Sequence, residues 1–364
     1  MSNSSPLNAD PPDGLPTGST QPPEGGYTAP AASSLGTDSP FLPGTDMQYA
    51  WDSTSLGLFK TCPRLYEYTM IRGYALKVEN LHLRFGIEFH SALQEYDFAR
   101  SEGFSHDEAV WEAMFGLQRR LLEQALPEGN EKAMKYKNAD SLRQLVIDYL
   151  DYYENDRAKT FIMANGKPAT ELSFRFELDF GPSMSLQGTM FTFDGEPIDA
   201  AVPFILCGHL DRVVDFNGQL MVLDHKTTTT TLGSYYFDQY EPHNQMSLYT
   251  LAGKIVLNTV VKGVIIDGCQ IMLEGENRFV RGFTYRTPDQ LDEWMDSLSM
   301  TLGYAESCAT QNYWPMNDTA CDKFGGCKFR GICSKSPQVR DKFLEMDFVV
   351  QPLEERWNPL KSRG

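Results

Sequence analysis

Residues 203–226, PFILCGHLDRVVDFNGQLMVLDHK, hold the clearest strand signal in this chain of 364 residues. Two apolar runs flank Asp215-Phe216-Asn217-Gly218, and an Asn-Gly pair adopts the positive φ angles of a tight turn at low energetic cost. The segment therefore predicts two antiparallel strands joined by a hairpin turn. The first strand carries Asp211, and the second closes with Asp224-His225-Lys226.

The polar residues of this hairpin predict a metal-dependent site. Alternate side chains of a strand share a face, so Asp224 and Lys226 are expected on one face and His225 on the other, with Asp211 carried beside them. Neighbouring carboxylates repel each other unless they hold a cation or share a proton. Carboxylate oxygens suit Mg²⁺ or Mn²⁺, and Lys226 could orient a water molecule beside such an ion. An ordinary hairpin with two surface acids and a surface lysine is the alternative.

Two helical segments add polar residues in a fixed order along the chain. Residues 81–101 have helical periodicity and carry His90, while residues 243–256 carry Gln245 and Tyr249 four positions apart on one face. Taken alone, His90 would be a structural histidine, and Gln245 and Tyr249 would be half-buried polar residues of a packed helix. The ordered set G-x-x-x-H, G-x-x-D, D-x-K and Q-x-x-x-Y resembles the RecB-like branch of the PD-(D/E)XK nuclease superfamily.

The resemblance implies a restriction-endonuclease-like α/β fold, in which helices flank a mixed central sheet and an N-terminal helical insertion precedes it. The implied metal ligands, for one or two Mg²⁺ or Mn²⁺ ions, are His90, Asp211, Asp224 and the backbone carbonyl of His225. The implied catalytic set is Asp211, Asp224, Lys226, Gln245 and Tyr249. In this set Lys226 positions the attacking water, Gln245 contacts the substrate or the lysine, and Tyr249 supports the substrate strand.

The cysteines near the C-terminus predict a second metal site. Cys321, Cys327 and Cys333 lie in a short segment in which glycines allow tight loops around an ion or cluster. Cys62 lies in a Cys-Pro-x-x-Tyr segment and is similar to the first cluster-binding cysteine of related iron–sulfur nucleases, the AddB nuclease domain and the CRISPR-adaptation exonucleases. That resemblance implies a [4Fe–4S] cluster that staples the chain ends. The family spacing C-x2-C-x5-C differs from the spacing here, so a structural zinc ion or unrelated cysteines are the alternatives.

The remaining sequence gives the domain organisation. Residues 1–46 are rich in Pro, Gly, Ser and Thr and contain no Lys or Arg, which predicts a disordered tail serving as a spacer or a partner-binding arm. Periodicity predicts further helices at about 106–126, 139–154 and 287–308, and strands at about 169–180, 188–193, 261–272 and 279–285. Glu171 opens the first of these strands, either near the site or solvated. After the tail, the sequence predicts a nuclease domain (47–335) and then a C-terminal tail (336–364). Within the nuclease domain we expect a helical part (about 81–156), a catalytic sheet (about 169–286) and a cysteine cluster (321–333).

Composition limits the cellular setting. The chain has no run of 18 apolar residues and no basic-then-apolar leader, which predicts a protein of the reducing cytoplasm without a membrane segment. In that compartment its seven cysteines are expected to be metal ligands or core residues rather than disulfides. The net charge of −17 argues against a general nucleic-acid coat protein, which would carry an excess of basic residues. It does not exclude a nuclease, because metal ions supply local positive charge. The charge favours modest affinity for free DNA, or delivery of DNA by a helicase or recombination partner.

The resemblance thus implies a metal-dependent DNA nuclease, expected to act as an exonuclease on single-stranded ends in recombination, repair or viral genome processing. The competing hypothesis is a DNA-binding or scaffold subunit of a larger replication or recombination complex that keeps the fold and does not cleave.

Overall fold

The computed structural model describes residues 39–179, 181, 203–322 and 326–361. The chain divides into two units, residues 1–36 and 37–364, and the first lies outside the described residues, as does the predicted strand at 188–193. Ordered contacts begin before residue 46, the predicted end of the tail. Phe41 pairs with Gln48, and Leu42 is buried in the apolar core.

The described residues contain runs of helices and runs of strands. The strands are β1 (Ala50–Trp51), β2 (Tyr74–Leu76), β3 (Ala158–Thr160), β4 (Thr170–Glu177), β5 (Ile205–Phe216), β6 (Gln219–Thr228), β7 (Val261–Gln270), β8 (Arg278–Tyr285) and β9 (Phe348–Val350). The α-helices are α1 (Ser53–Thr61), α2 (Pro63–Tyr66), α3 (Leu81–Ser101), α4 (His106–Glu123), α5 (Glu131–Tyr136), α6 (Ala139–Tyr152), α7 (Ser234–Asp238), α8 (Asn244–Leu257), α9 (Pro288–Thr310), α10 (Arg330–Cys333) and α11 (Arg340–Asp347).

The central sheet is mixed, as predicted. Its strands follow the order β1-β5-β6-β7-β8, and β3 and β4 also pair with β5. The pairs β4–β5, β5–β6 and β7–β8 are antiparallel, whereas β1–β5 and β6–β7 are parallel. Helix α8 follows β6 and returns the chain to β7, as a parallel pair requires. The predicted α/β class with a mixed sheet flanked by helices is therefore confirmed.

The central hairpin has the predicted turn and an opening at its far end. Asn217 and Gly218 have φ angles of 55° and 79°, which fits a two-residue hairpin loop. Pairing between β5 and β6 runs from the turn to Arg212 and Leu223. Asp211 and Asp224 are the next residue on each strand, so both carboxylates lie where the two strands cease to pair.

A helical layer covers one part of the sheet. The predicted helices at 81–101, 106–126 and 139–154 are confirmed as α3, α4 and α6, although α4 and α6 end at Glu123 and Tyr152; α5 was not predicted. Their apolar sides form one buried cluster that includes Phe89, Leu117 and Leu142 and reaches the sheet at Phe279. This packing fixes α3 across the sheet and so positions the middle of that helix.

Two short strands that are far apart in the sequence form a separate small ribbon. β9 pairs antiparallel with β2, and Phe348 and Leu344 pack with Tyr68 and Phe329 in a separate apolar cluster. Part of the predicted C-terminal tail is thus regular structure, because its apolar residues complete this cluster. Across the described residues no helix is both long and apolar enough to cross a bilayer.

Candidate active site

His90, in the middle of α3, lies over the opening between β5 and β6. Its Nε2 is 3.1 Å from the backbone carbonyl oxygen of His225, and its Nδ1 is 3.4 Å from Oδ2 of Asp211. The same Nδ1 is 3.9 Å from Oε1 of Glu171 on β4. A histidine that donates one ring N–H to a carbonyl presents its other nitrogen to a metal, so this arrangement leaves Nδ1 facing the two acids.

His90, Glu171 and Asp211 form a set of side chains suited to a divalent cation. One ligand atom from each lies within 4.8 Å of the others, and elsewhere in the described residues no such group of three is found. All three side chains are partly accessible, at 23%, 11% and 13% exposure. A nitrogen and two carboxylates fit Mg²⁺ or Mn²⁺, whose ligands are mainly oxygen. The residues present therefore fit the metal that the sequence predicts.

Glu171 is the member of this set that the predicted ligands omitted. The neighbouring pairs Thr170–Arg212 and Leu172–Leu210 place it beside Asp211 across β4 and β5. Its φ angle is 47°, a left-handed conformation that costs a non-glycine residue on the order of 1 kcal/mol. The sequence signal for this role was a glutamate at the start of an alternating strand, as the resemblance implies, and it left Glu171 either near the site or solvated.

The predicted catalytic residues on β6 and α8 form a second, connected group. Nζ of Lys226 lies 2.9 Å and 2.7 Å from the two carboxylate oxygens of Asp224 and 3.4 Å from Oε1 of Gln245. Nε2 of Gln245 donates to the hydroxyl of Tyr249 at 2.9 Å. The structure thus brings all four side chains together, although Asp224 lies outside the group of three formed by His90, Glu171 and Asp211.

The charges of Asp224 and Lys226 depend on each other. Burial raises the pKa of Asp224 to about 6, with Lys226 opposing the rise and Asp211 adding to it. Burial lowers the pKa of Lys226, but attraction to Asp224 and Asp211 outweighs this and leaves that pKa above its ordinary value. A cationic amine therefore stands beside acids at the opening, where an anionic substrate group would meet it.

The side chain of His225 points away from this group, as the alternation of β6 predicts. Its Nε2 is 3.0 Å from the hydroxyl of Tyr149 on α6, whereas Asp224 and Lys226 contact α8. The backbone of His225 stays in the site. Its N–H donates to Oδ2 of Asp211 at 3.3 Å, and its carbonyl faces His90. That carbonyl therefore lies within hydrogen-bonding distance of the histidine ring.

The four predicted cluster cysteines line one cavity. They are Cys62, Cys321, Cys327 and Cys333. The N–H of Asn317 donates to Sγ of Cys62 at 3.3 Å, and the N–H of Cys327 donates to the carbonyl of Cys321 at 2.9 Å. All seven cysteines are free thiols, and the other three, Cys207, Cys269 and Cys308, are buried in the apolar cores.

Comparison with known proteins agrees with this geometry. The family model of the PD-(D/E)XK nuclease superfamily matches residues 51–334, a range that includes every side chain of the site described above. A crystal structure of a candidate exonuclease from Eubacterium rectale is similar over 75% of this chain and 86% of that chain, with a TM-score of 0.42 and 11% identity, too weak a likeness to support an inference. None of the curated proteins compared with the sequence matches it. Because the family model spans most of the chain, the protein belongs to the PD-(D/E)XK nuclease superfamily.

Proposed function

We propose that this chain is a metal-dependent deoxyribonuclease of the RecB-like branch, acting as an exonuclease on single-stranded DNA ends. Members of the superfamily are metal-dependent phosphodiesterases, which supports the reaction class. The observation that carries the proposal is the adjacency of two groups at the end of β5–β6 pairing. One is the ligand set His90, Glu171 and Asp211, and the other is the Asp224–Lys226 pair.

The first group would hold Mg²⁺ or Mn²⁺. His90 offers Nδ1, and Glu171 and Asp211 offer carboxylate oxygens. Asp224 is the predicted further ligand, one strand away. The carbonyl of His225, predicted as a ligand, is better placed to accept a hydrogen bond from His90 and so to orient its ring. A bound divalent ion supplies Lewis-acid chemistry for phosphodiester hydrolysis.

The second group would handle the attacking water and the substrate charge. Lys226 is held as a cation by Asp224 and Asp211, so its ammonium group can orient a water and offset negative charge that develops on the phosphate. Gln245 contacts both Lys226 and Tyr249, which fixes the lysine against α8. Tyr249 would in turn support the substrate strand beside Gln245.

The cysteine cavity would hold a [4Fe–4S] cluster. The support for this is that all four cysteines line the same cavity, and cysteine thiolates are the usual ligands of iron–sulfur clusters. A structural zinc ion is the alternative occupant. Measuring iron, acid-labile sulfide and zinc in anaerobically purified protein decides between the two.

The test of function is cleavage of single-stranded DNA labelled at either the 5′ or the 3′ end, with Mn²⁺, Mg²⁺ or EDTA. We expect metal-dependent shortening from one end, weaker cleavage of a blunt duplex, and loss of cleavage in Asp211→Asn. Equal cleavage with EDTA, or by Asp211→Asn, would refute the metal-dependent mechanism.

A DNA-binding or scaffold subunit that does not cleave is the second candidate. The net charge of −17 weakens binding to free DNA and so favours a subunit that meets DNA within a larger complex. Retention of single-stranded DNA at low salt without turnover in any metal would support it. Turnover that appears only with an added helicase or recombination protein would instead support delivery of DNA by a partner.

A further inference from the structure

His225 is the middle residue of the D-x-K motif. Its backbone contacts the site residues His90 and Asp211, and its side chain is anchored elsewhere by Tyr149. Its carbonyl oxygen is 3.1 Å from Nε2 of His90, and its N–H donates to Asp211 at 3.3 Å. A shift of the His225 backbone would therefore move both the carbonyl that contacts His90 and the N–H that contacts Asp211. Its imidazole ring is 5% exposed and lies on the opposite face of the strand.

A row of residues across three strands anchors that ring. His225 on β6 is the register partner of Asp267 on β7, and Asp267 is the partner of Arg281 on β8. Tyr149 reaches this row from α6. Its hydroxyl lies 2.9 Å from Oδ2 of Asp267 and 3.0 Å from Nε2 of His225. Nε of Arg281 donates to Oδ2 of Asp267 at 2.9 Å.

Donor counting fixes the direction of these hydrogen bonds. The carboxylate of Asp267, paired with Arg281, only accepts, so the hydroxyl of Tyr149 must give it its one proton. The oxygen of Tyr149 then accepts, and Nε2 of His225 must be the donor. These hydrogen bonds are donated from His225 to Tyr149 and from Tyr149 to Asp267, which assigns the Nε2–H tautomer to His225.

The far end of the row is rigid. Arg281 also binds Asp156 with two hydrogen bonds, at 2.6 Å and 2.7 Å, and lies 3.9 Å over the ring of Tyr153. Asp267 is fully buried, and Tyr149 is 2% exposed. A buried network in which every member has a partner holds its geometry more strictly than single pairs do.

We propose that Tyr149 is a positioning residue of the metal site. Through the ring of His225 it fixes the backbone of that residue, whose carbonyl orients His90 and whose N–H donates to Asp211. This inference rests on the proposed function, since it assigns His90 and Asp211 to a divalent cation. Support of a ligating histidine by a second residue typically changes metal affinity 10–100-fold.

The test is Mn²⁺ affinity of the full chain, measured by electron paramagnetic resonance, for wild type, Tyr149→Phe and Tyr153→Phe. Tyr153 is a matched control, because its ring packs 4.9 Å from that of Tyr149 and its hydroxyl also donates to Asp267, at 3.3 Å. Among the described contacts its hydroxyl does not bond to His225. We expect Tyr149→Phe to weaken Mn²⁺ binding at least tenfold and Tyr153→Phe to change it less than twofold. Equal affinities in the two variants would overturn the inference.

Asp211→Ala separates this inference from the proposed function. If that variant binds Mn²⁺ as wild type does, the proposed metal site itself fails. If it loses Mn²⁺ while Tyr149→Phe does not, only the role of Tyr149 fails. Should Tyr149→Phe not fold, His225→Gln, which keeps an N–H donor, is expected to bind Mn²⁺ more tightly than His225→Leu, and equal affinities would overturn the inference.

Discussion

Lys137 offers a test of the packing between the helical layer and the sheet, because it is a buried cation without an acidic partner among the described contacts. Its side chain is 5% exposed, and Nζ lies 5.0 Å from the ring centre of Phe85 and 3.4 Å from Oγ1 of Thr227. Burial lowers the pKa of this amine from 10.5 to about 8. We therefore expect Lys137→Met to stabilise the protein at neutral pH.

The magnitude follows from linkage. Lowering the pKa of Lys137 from 10.5 to about 8 corresponds to roughly 3 kcal/mol at pH 7. Loss of the cation–π contact with Phe85 removes about 1 kcal/mol, which leaves a gain of about 2 kcal/mol. Between pH 8 and pH 10.5 the unfolded chain binds more protons at this lysine than the folded chain does, so the folded state gains stability as pH rises. The advantage of Lys137→Met should therefore fall to about 1 kcal/mol or less at pH 10.

The assay is urea unfolding of wild type and Lys137→Met at pH 7 and pH 10. Lys135→Met is the control, because that lysine lies on α5, just before Lys137 in the sequence, and its ion pair with Glu131 is exposed to solvent. The control should change the free energy of unfolding by less than about 0.5 kcal/mol at both pH values. A less stable Lys137→Met at pH 7, or an advantage that persists unchanged at pH 10, would refute the account of Lys137 as a desolvated cation.

Three further outcomes test the metal site, the sheet and the cysteine cavity. Glu171→Gln should raise the Mn²⁺ concentration for half-maximal cleavage about tenfold or more, and an unchanged titration would remove Glu171 from the ligand set. Gly263→Ala should lower the free energy of unfolding by about 2 kcal/mol, because its Cβ would meet the backbone oxygen of Thr284, and wild-type stability would contradict the close approach of β7 and β8. Cys62→Ser should lower the iron content and the melting temperature together, whereas full iron content would exclude Cys62 as a cluster ligand.

Local sequence rules predicted the elements that build the site. The Asn-Gly turn between two alternating segments specified the central hairpin and its register, because the turn fixes which residues face each other. Helix α3 was predicted with its observed bounds from periodicity alone. Those two elements carry His90, Asp211, Asp224 and Lys226, and the resemblance of the ordered motifs to RecB-like nucleases, rather than short-range signals alone, marked these side chains as site residues.

The contacts that were not predicted depend on strand pairing between residues that are far apart in the sequence. Glu171 joins His90 and Asp211 only through the register of β4 against β5. The row from His225 to Arg281 requires three strands to align, and no local periodicity encodes that alignment. The ribbon of β2 and β9 joins residues far apart in sequence, so a segment predicted as a tail became part of the fold.

The most direct test of the central claim is the rate of single-stranded DNA cleavage by wild type and Lys226→Ala at saturating Mn²⁺. Lys226 is held between Asp224 and Gln245 and is assigned to water and phosphate, not to the metal. The account predicts that Lys226→Ala remains folded, binds Mn²⁺ as wild type does, and loses at least a hundredfold in cleavage rate. Cleavage by Lys226→Ala at the wild-type rate would contradict the assignment of this site as a nuclease centre.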